Sequence, residues 1–195
     1  MAYGFNDFTA GDVLTAVQMD GIMRQTVMGF ASTSARDTAL SGVLAEGMYA
    51  HASDIDTLHY YNGSSWQVVH EPIQSWSPTI TQGSAVSGTV TRGWSQRSNG
   101  VFRALLVWTS SAAGTGSNNI VISTPFTLAD AWDVGGSWYF DDVGSSTIYT
   151  GTVRQNTSTS FKLRTSAEAS DFGVAPAVTI ASSDILSVTI TGTYT

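Results

Sequence analysis

From residue 79 to the C-terminus, short apolar runs alternate with clusters of turn-forming residues. The spacing predicts strands over Val86–Thr91, Val101–Trp108, Asn119–Ser123, Ser137–Asp141, Ile148–Gln155, Ser160–Thr165, Val178–Ala181 and Ile185–Tyr194. Turn material separates them: Ser98-Asn99-Gly100, Ala112-Ala113-Gly114-Thr115-Gly116, Gly144-Ser145-Ser146 and Asn156-Thr157-Ser158. Many short strands at this spacing imply a mainly β chain whose C-terminal domain is a β-sandwich, jelly-roll-like. In Ser160–Arg164, Phe161 and Leu163 alternate with polar neighbours, so one face of that strand is wet. Val101–Trp108 is apolar on both faces apart from Arg103, and is therefore either central in its sheet or covered outside by another subunit.

The N-terminal part reads differently. In Thr15–Phe30, Met19, Ile22, Met23, Thr26, Val27 and Phe30 recur at the period of one helix face, with Thr15 as N-cap. An isolated helix of that length is marginal in water, and Gly21 and Gly29 each weaken it by roughly 1 kcal/mol against Ala. The apolar face needs a cover, and a second copy of the chain is the natural one. With Ala16, Met23 and Phe30 in one column and Met19 and Thr26 in another, Ile22 and Val27 widen the stripe, which favours three or more helices over two. Burial of the five large side chains would contribute about 1.5–3 kcal/mol each before entropy.

Ahead of this helix, Tyr3, Phe5, Phe8, Val13 and Leu14 lack periodicity; they either fold back on the helix or form an arm that enters a neighbouring protein. Behind it, Ser34–Leu40 predicts a short second helical turn stopped by Gly42. Met48–His51, Thr57–Tyr61 and Trp66–Val69 then form a small β-meander with a hairpin turn at Asn62-Gly63-Ser64-Ser65. Glu71-Pro72 and Ser77-Pro78 bracket an expected linker. The expected organisation is a 1–14 anchoring arm, a 15–40 helical oligomerisation segment, a 41–70 meander, a 71–78 linker and the 79–195 sandwich.

Charge narrows the partners. Residues 1–75 hold eight acids against Arg24 and Arg36, whereas residues 76–195 hold seven acids against six bases. Without a basic patch to neutralise phosphates, nucleic acid is not an expected partner. No basic segment with an apolar run behind it opens the chain, and no apolar run of about 18 residues occurs, so neither signal peptide nor membrane insertion is expected. With no Cys, disulfides and thiolate metal sites are excluded.

Each catalytic candidate lacks a physical requirement. His51, His59 and His70 match neither a helical i, i+4 pair nor a short metal loop. Asp54-Ile55-Asp56 begins like a calcium loop but lacks the Gly and the bidentate Glu. Adjacent Asp141 and Asp142 point to opposite faces of a strand, whereas a glycosidase pair faces one cleft at about 5–9.5 Å. Asp171-Phe172-Gly173 spells a kinase tripeptide without the loops that give it meaning. The chain is read as non-enzymatic, with no cofactor and no metal. Trp76, Trp94, Trp108, Trp132 and Trp138 admit a binding role, since indole faces stack on sugars, or a core role. Trp108 and Trp138 lie within strands and suit a core, whereas Trp132, in the Ala129–Asp133 connection, stays open between a core role and a surface role.

Phe8-Thr9-Ala10-Gly11-Asp12-Val13-Leu14-Thr15-Ala16, the segment Gln25–Phe30, and Ala35-Arg36-Asp37 resemble the start of small bacteriophage virion proteins, the minor tail or head-fibre proteins of actinobacterial phages. Glu46-Gly47-Met48 and Leu58–Trp66 are similar to a module that recurs in phage fibres, and Ser183–Tyr194 looks like the last strand of their C-terminal β-domains. Members usually carry Asn near Gly21, and Asp20-Gly21 departs from that. The resemblance implies a homotrimer located in the virion and assembled in the bacterial cytoplasm. Its other partners would be tail or capsid proteins and a host cell-surface glycan. Residues Ala16, Met19, Ile22, Met23, Thr26, Val27 and Phe30 would serve the oligomer, Tyr3, Phe5, Phe8, Val13 and Leu14 the anchor, and Trp132 the surface contact.

Overall fold

A computed structural model describes residues 11, 13–19, 26–129, 134–165 and 170–195. The described chain is mainly β and divides into two compact units, Met1–Gln67 and Val68–Thr195. The boundary falls inside a strand.

The first unit is organised by β1 (Val27–Phe30), α1 (Thr33–Ala39), β2 (Tyr49–Ala52), β3 (Thr57–Tyr61) and β4 (Trp66–His70), in the sheet order β1-β2-β3-β4. β1 runs parallel to β2, with Val27 opposite Tyr49 and Phe30 opposite Ala52. Parallel strands need a crossover, and α1 lies within it. Ser32 caps α1 by accepting the Ala35 amide at 3.0 Å, and Gly42 follows at φ +80°.

β1 corrects the expected helix over Thr15–Phe30. Helical geometry holds at residues 16–19, where Thr15 Oγ1 accepts the Gln18 amide at 3.3 Å and Gln18 Oε1 accepts the Thr15 amide at 2.9 Å. That reciprocal pair is a capping box. At Val27–Phe30 the backbone is extended instead. Thr26, Val27 and Gly29 are poor helix formers, and pairing with β2 gives their backbone an alternative set of partners. The apolar recurrence of three and four therefore does not continue on one helix.

Leu40, Met48, Ala50 and Ala52 are buried in this unit together with Arg36, Thr57 and His59. The Arg36 guanidinium lies 4.4 Å from the centroid of the Trp66 ring, and its Nη2 is 2.8 Å from Asp37 Oδ1. A cation on an indole face tolerates burial because the ring quadrupole replaces part of its hydration.

The second unit holds β5 (Gln74–Ser75), β6 (Ile80–Gln82), β7 (Ser84–Ala85), β8 (Gly88–Ser98), β9 (Val101–Ser110), β10 (Ile120–Ser123), β11 (Val134–Asp142), β12 (Thr147–Thr157), β13 (Ser160–Thr165) and β14 (Ile185–Thr193). They form one hydrogen-bonded sheet in the order β5-β8-β9-β14-β11-β12-β13-β10-β6-β7, and its pairings are antiparallel. The sheet curls. Trp76, beside β5, has its ring 6.5 Å from Phe161 of β13, although a flat sheet would put six strand spacings, roughly 29 Å, between those strands. Phe102, Leu106, Phe140, Phe161, Leu186 and Ile190 fill the concave side.

Two expectations change here, and one open alternative resolves. Residues 71–78 are not a linker: Gln74–Ser75 pairs with β8, and Trp76 is buried. Glu71 is also buried; its Oε1 accepts the Arg97 amide at 2.8 Å, and its Oε2 lies 2.7 Å from Arg97 Nη2. That guanidinium sits 4.9 Å from the Phe126 ring and 5.3 Å from Tyr194. Second, Val178–Ala181 is not a strand, although Val178 and Ile180 are buried. Gln82 explains this: its Nε2 donates to the Val178 carbonyl at 2.6 Å, and its Oε1 accepts the Ile180 amide at 2.9 Å. One side-chain amide supplies the donor and acceptor that a neighbouring strand would have provided. Third, β9 occupies a central position in the sheet, between β8 and β14, with Phe102, Ala104, Leu106 and Trp108 facing the core.

Candidate functional site

The expected anchor and oligomer residues fall partly within the described chain. Val13, Leu14 and Met19 are 88%, 40% and 44% exposed, Ala16 and Thr26 are also exposed, and Val27 is 56% exposed. Phe30 is half-buried on β1. Tyr3, Phe5, Phe8, Ile22, Met23 and Trp132 lie outside the described residues. Val17, 81% exposed, joins the same apolar group, though it is absent from the stripe that periodicity selects.

The acid and histidine candidates are separated or structurally engaged. His51 and His59 sit at successive register positions of β2 and β3, hence on opposite faces, and His51 Nε2 lies 3.0 Å from Asp56 Oδ1. Asp142 Oδ1 accepts the Ser145 amide at 3.1 Å and closes the β11–β12 turn. Asp171 lies 3.6 Å from both Arg154 and Lys162, and Phe172 is wholly buried. Among the described residues no cluster of His, Asp and Glu could hold a metal.

Asp184 is a buried carboxylate that motif reasoning misses. Its Oδ1 accepts the Val143 amide at 3.1 Å and its Oδ2 the Ala181 amide at 2.7 Å, tying the β11–β12 turn to the approach of β14. Burial pushes its pKa upward, against the pull of those two amides, and the charges of Asp142 and Asp141 push the same way. As pH rises through the ordinary carboxyl range, the unfolded chain loses this proton first. The folded state then binds more protons, so this group's contribution to stability falls with rising pH and returns on acidification. Between pH of about 7 and about 4, wild type should gain stability relative to Asp184→Asn, read as a shift in urea midpoint. An unchanged midpoint difference across that range would refute this role.

The tryptophans divide. Trp76, Trp108 and Trp138 are buried, and Trp138 Nε1 donates to the Thr152 carbonyl at 2.9 Å. Trp94 is half-exposed and lies on the convex face of the curled sheet. Register places a diagonal apolar band there. Trp94 stands opposite Leu105, and Arg92 opposite Val107. Val107 stands opposite Ser187, Ser187 opposite Tyr139, and Asp141 between Ile185 and Ile148. Tyr139 is 39% and Ile148 65% exposed. The band thus crosses β8, β9, β14, β11 and β12, roughly 19 Å from side to side. Arg92 and Arg103 flank its β8–β9 side, and Asp141 sits on its β11 side. None of these three side chains has an ion-pair partner among the described residues.

No family model matches the chain, and neither a curated protein nor a solved structure does.

Proposed function

We propose that this chain is a structural protein of a bacteriophage particle, a fibre or spike that is anchored through its N-terminal segment and presents its C-terminal β unit outward. The observation that supports this reading is the exposed apolar series Val13, Leu14, Val17, Met19 and Val27 ahead of a β unit with its own closed core. Such side chains are costly to leave in water and are satisfied by a neighbour. The sequence resemblance over residues 8–66 points the same way. Trimeric association and a jelly-roll-type β-domain belong to this reading, as does attachment to a repetitive host surface, where several copies multiply a weak affinity.

Immunogold labelling of intact particles tests it, with antibody raised against the purified chain. Gold at tail tips supports the attachment role. Gold on heads supports the second reading, a capsid fibre or decoration protein that stabilises the particle without touching a receptor. Particles that carry no label, while the infected cell contains the protein, would overturn both.

A further inference from the structure

We propose that the convex face of the ten-stranded sheet binds an acidic glycan, a polysaccharide with carboxylate groups separated by uncharged sugars. This rests on the attachment role proposed above and names the chemistry of what is held.

The fold gathers bases that the sequence scatters. Register carries one row across the face from β8 to β13: Trp94, Leu105, Thr189, Ser137, Thr152 and Arg164. Two residues along their strands, and on the same face by alternation, stand Arg103 on β9, Arg154 on β12 and Lys162 on β13. Arg92, two residues from Trp94, joins them. Five of the six bases beyond residue 75 therefore share this face, in a chain whose net charge is −7. The sixth, Arg97, pairs with buried Glu71. Among the described residues two acids lie with the bases. Asp171 sits between Arg154 and Lys162, and Asp141 stands four residues from Ser137, roughly 13 Å off the row. Asp142 points to the opposite face, and Asp184 is buried.

Spacing selects the occupant. Arg103 and Arg154 are three strand spacings apart, roughly 14 Å. Thr191 and Gly135 lie between them, and the space above Gly135 is open. Alongside, Thr189, Ser137 and Thr152 are exposed, and their hydroxyls donate and accept as sugar hydroxyls do. Trp94 and Tyr139 offer ring faces to sugar rings. An arginine fork takes a carboxylate through two parallel hydrogen bonds. Nucleic acid matches this layout poorly. A duplex strand places a phosphate about every 3.4 Å, so most of its charges would rest on uncharged hydroxyls. A neutral glycan would leave the cations without counter-charges.

Binding of the full-length chain to immobilised hyaluronan, which has a carboxylate on every second sugar, tests this beside immobilised dextran and single-stranded poly(dT). Wild type should bind hyaluronan and not dextran, and added salt should weaken the binding because exposed charges are screened. Arg103→Gln and Arg154→Gln should each weaken it about tenfold, and Arg103→Lys and Arg154→Lys less. Gly135→Glu sets a carboxylate between the two arginines where a side chain has room, and should abolish binding, whereas Gly135→Ala should retain it. Circular dichroism establishes that each variant is folded. Wild type that binds hyaluronan no better than dextran overturns the inference. Equal or tighter binding to poly(dT) does so too, as does hyaluronan binding that the folded Gln and Glu variants keep. Particle labelling reads the virion role independently. Gold at tail tips without hyaluronan binding removes this inference alone, and hyaluronan binding with unlabelled particles removes the virion reading alone.

Discussion

Replacing Gln82 with alanine is expected to lower the unfolding free energy by about 3–5 kcal/mol, measured by urea denaturation of the full chain. Gln82 is fully buried at the end of β6. Its amide binds the Val178 carbonyl at 2.6 Å, the Asn118 carbonyl at 3.3 Å and the Ile180 amide at 2.9 Å. Truncation leaves these backbone groups without that partner and opens a void. The surroundings are shaped to this side chain: a Cβ on Gly114 would stand 2.2 Å from Gln82 Oε1. Gln82→Glu separates hydrogen bonding from packing, because it conserves shape while placing a second acceptor against two carbonyls. It should be nearly as destabilising as alanine at neutral pH. A loss below about 1 kcal/mol in both variants would show that residues 178–180 are held by packing alone.

Phe172→Ala is expected to cost about 3–5 kcal/mol in the same assay. The Phe172 ring lies 4.6 Å from Trp138, 5.4 Å from Phe140 and 5.1 Å from Tyr149 between centroids, with no exposure to solvent. Removing it takes the centre from an aromatic cluster on β11 and β12. Phe172→Leu, which retains much of the volume, should recover more than half of the loss. Backbone contacts sharpen the expectation, since the Phe172 amide donates to the Leu163 carbonyl at 2.8 Å and its carbonyl accepts the Ile120 amide at 3.3 Å. A Phe172→Ala protein as stable as wild type would mean that the cluster is peripheral to the fold.

Much of the β architecture is legible in the sequence because its turns are local. Asn62-Gly63-Ser64-Ser65 turns with Gly63 at φ +92° and Asn62 Oδ1 accepting the Ser64 and Ser65 amides, and Ser98-Asn99-Gly100 turns with both central residues at positive φ. Period-two alternation in Ser160–Thr165 survives intact as β13. What the sequence hides are pairings over long separations. β5, β6 and β7 hold two or three residues each, too few to show a period. Gln82 reads as a solvated polar residue, and its buried partners lie almost a hundred positions away. Val27–Phe30 fits a helical period by coincidence, and only its parallel partner β2 reveals it as a strand. The convex band is legible in part: Val101–Trp108 declares itself apolar on both faces, but its alignment with Ile148 and Tyr139 depends on strand order. Asp184 gives no local signal at all, since one Asp in a Ser-rich turn looks like any other.

The ten-stranded sheet ends in β5 and β7, each of two residues. Strands this brief offer little backbone of their own for another molecule to extend. At those two ends the sheet is therefore a poor template for amyloid-like stacking, even at high local concentration.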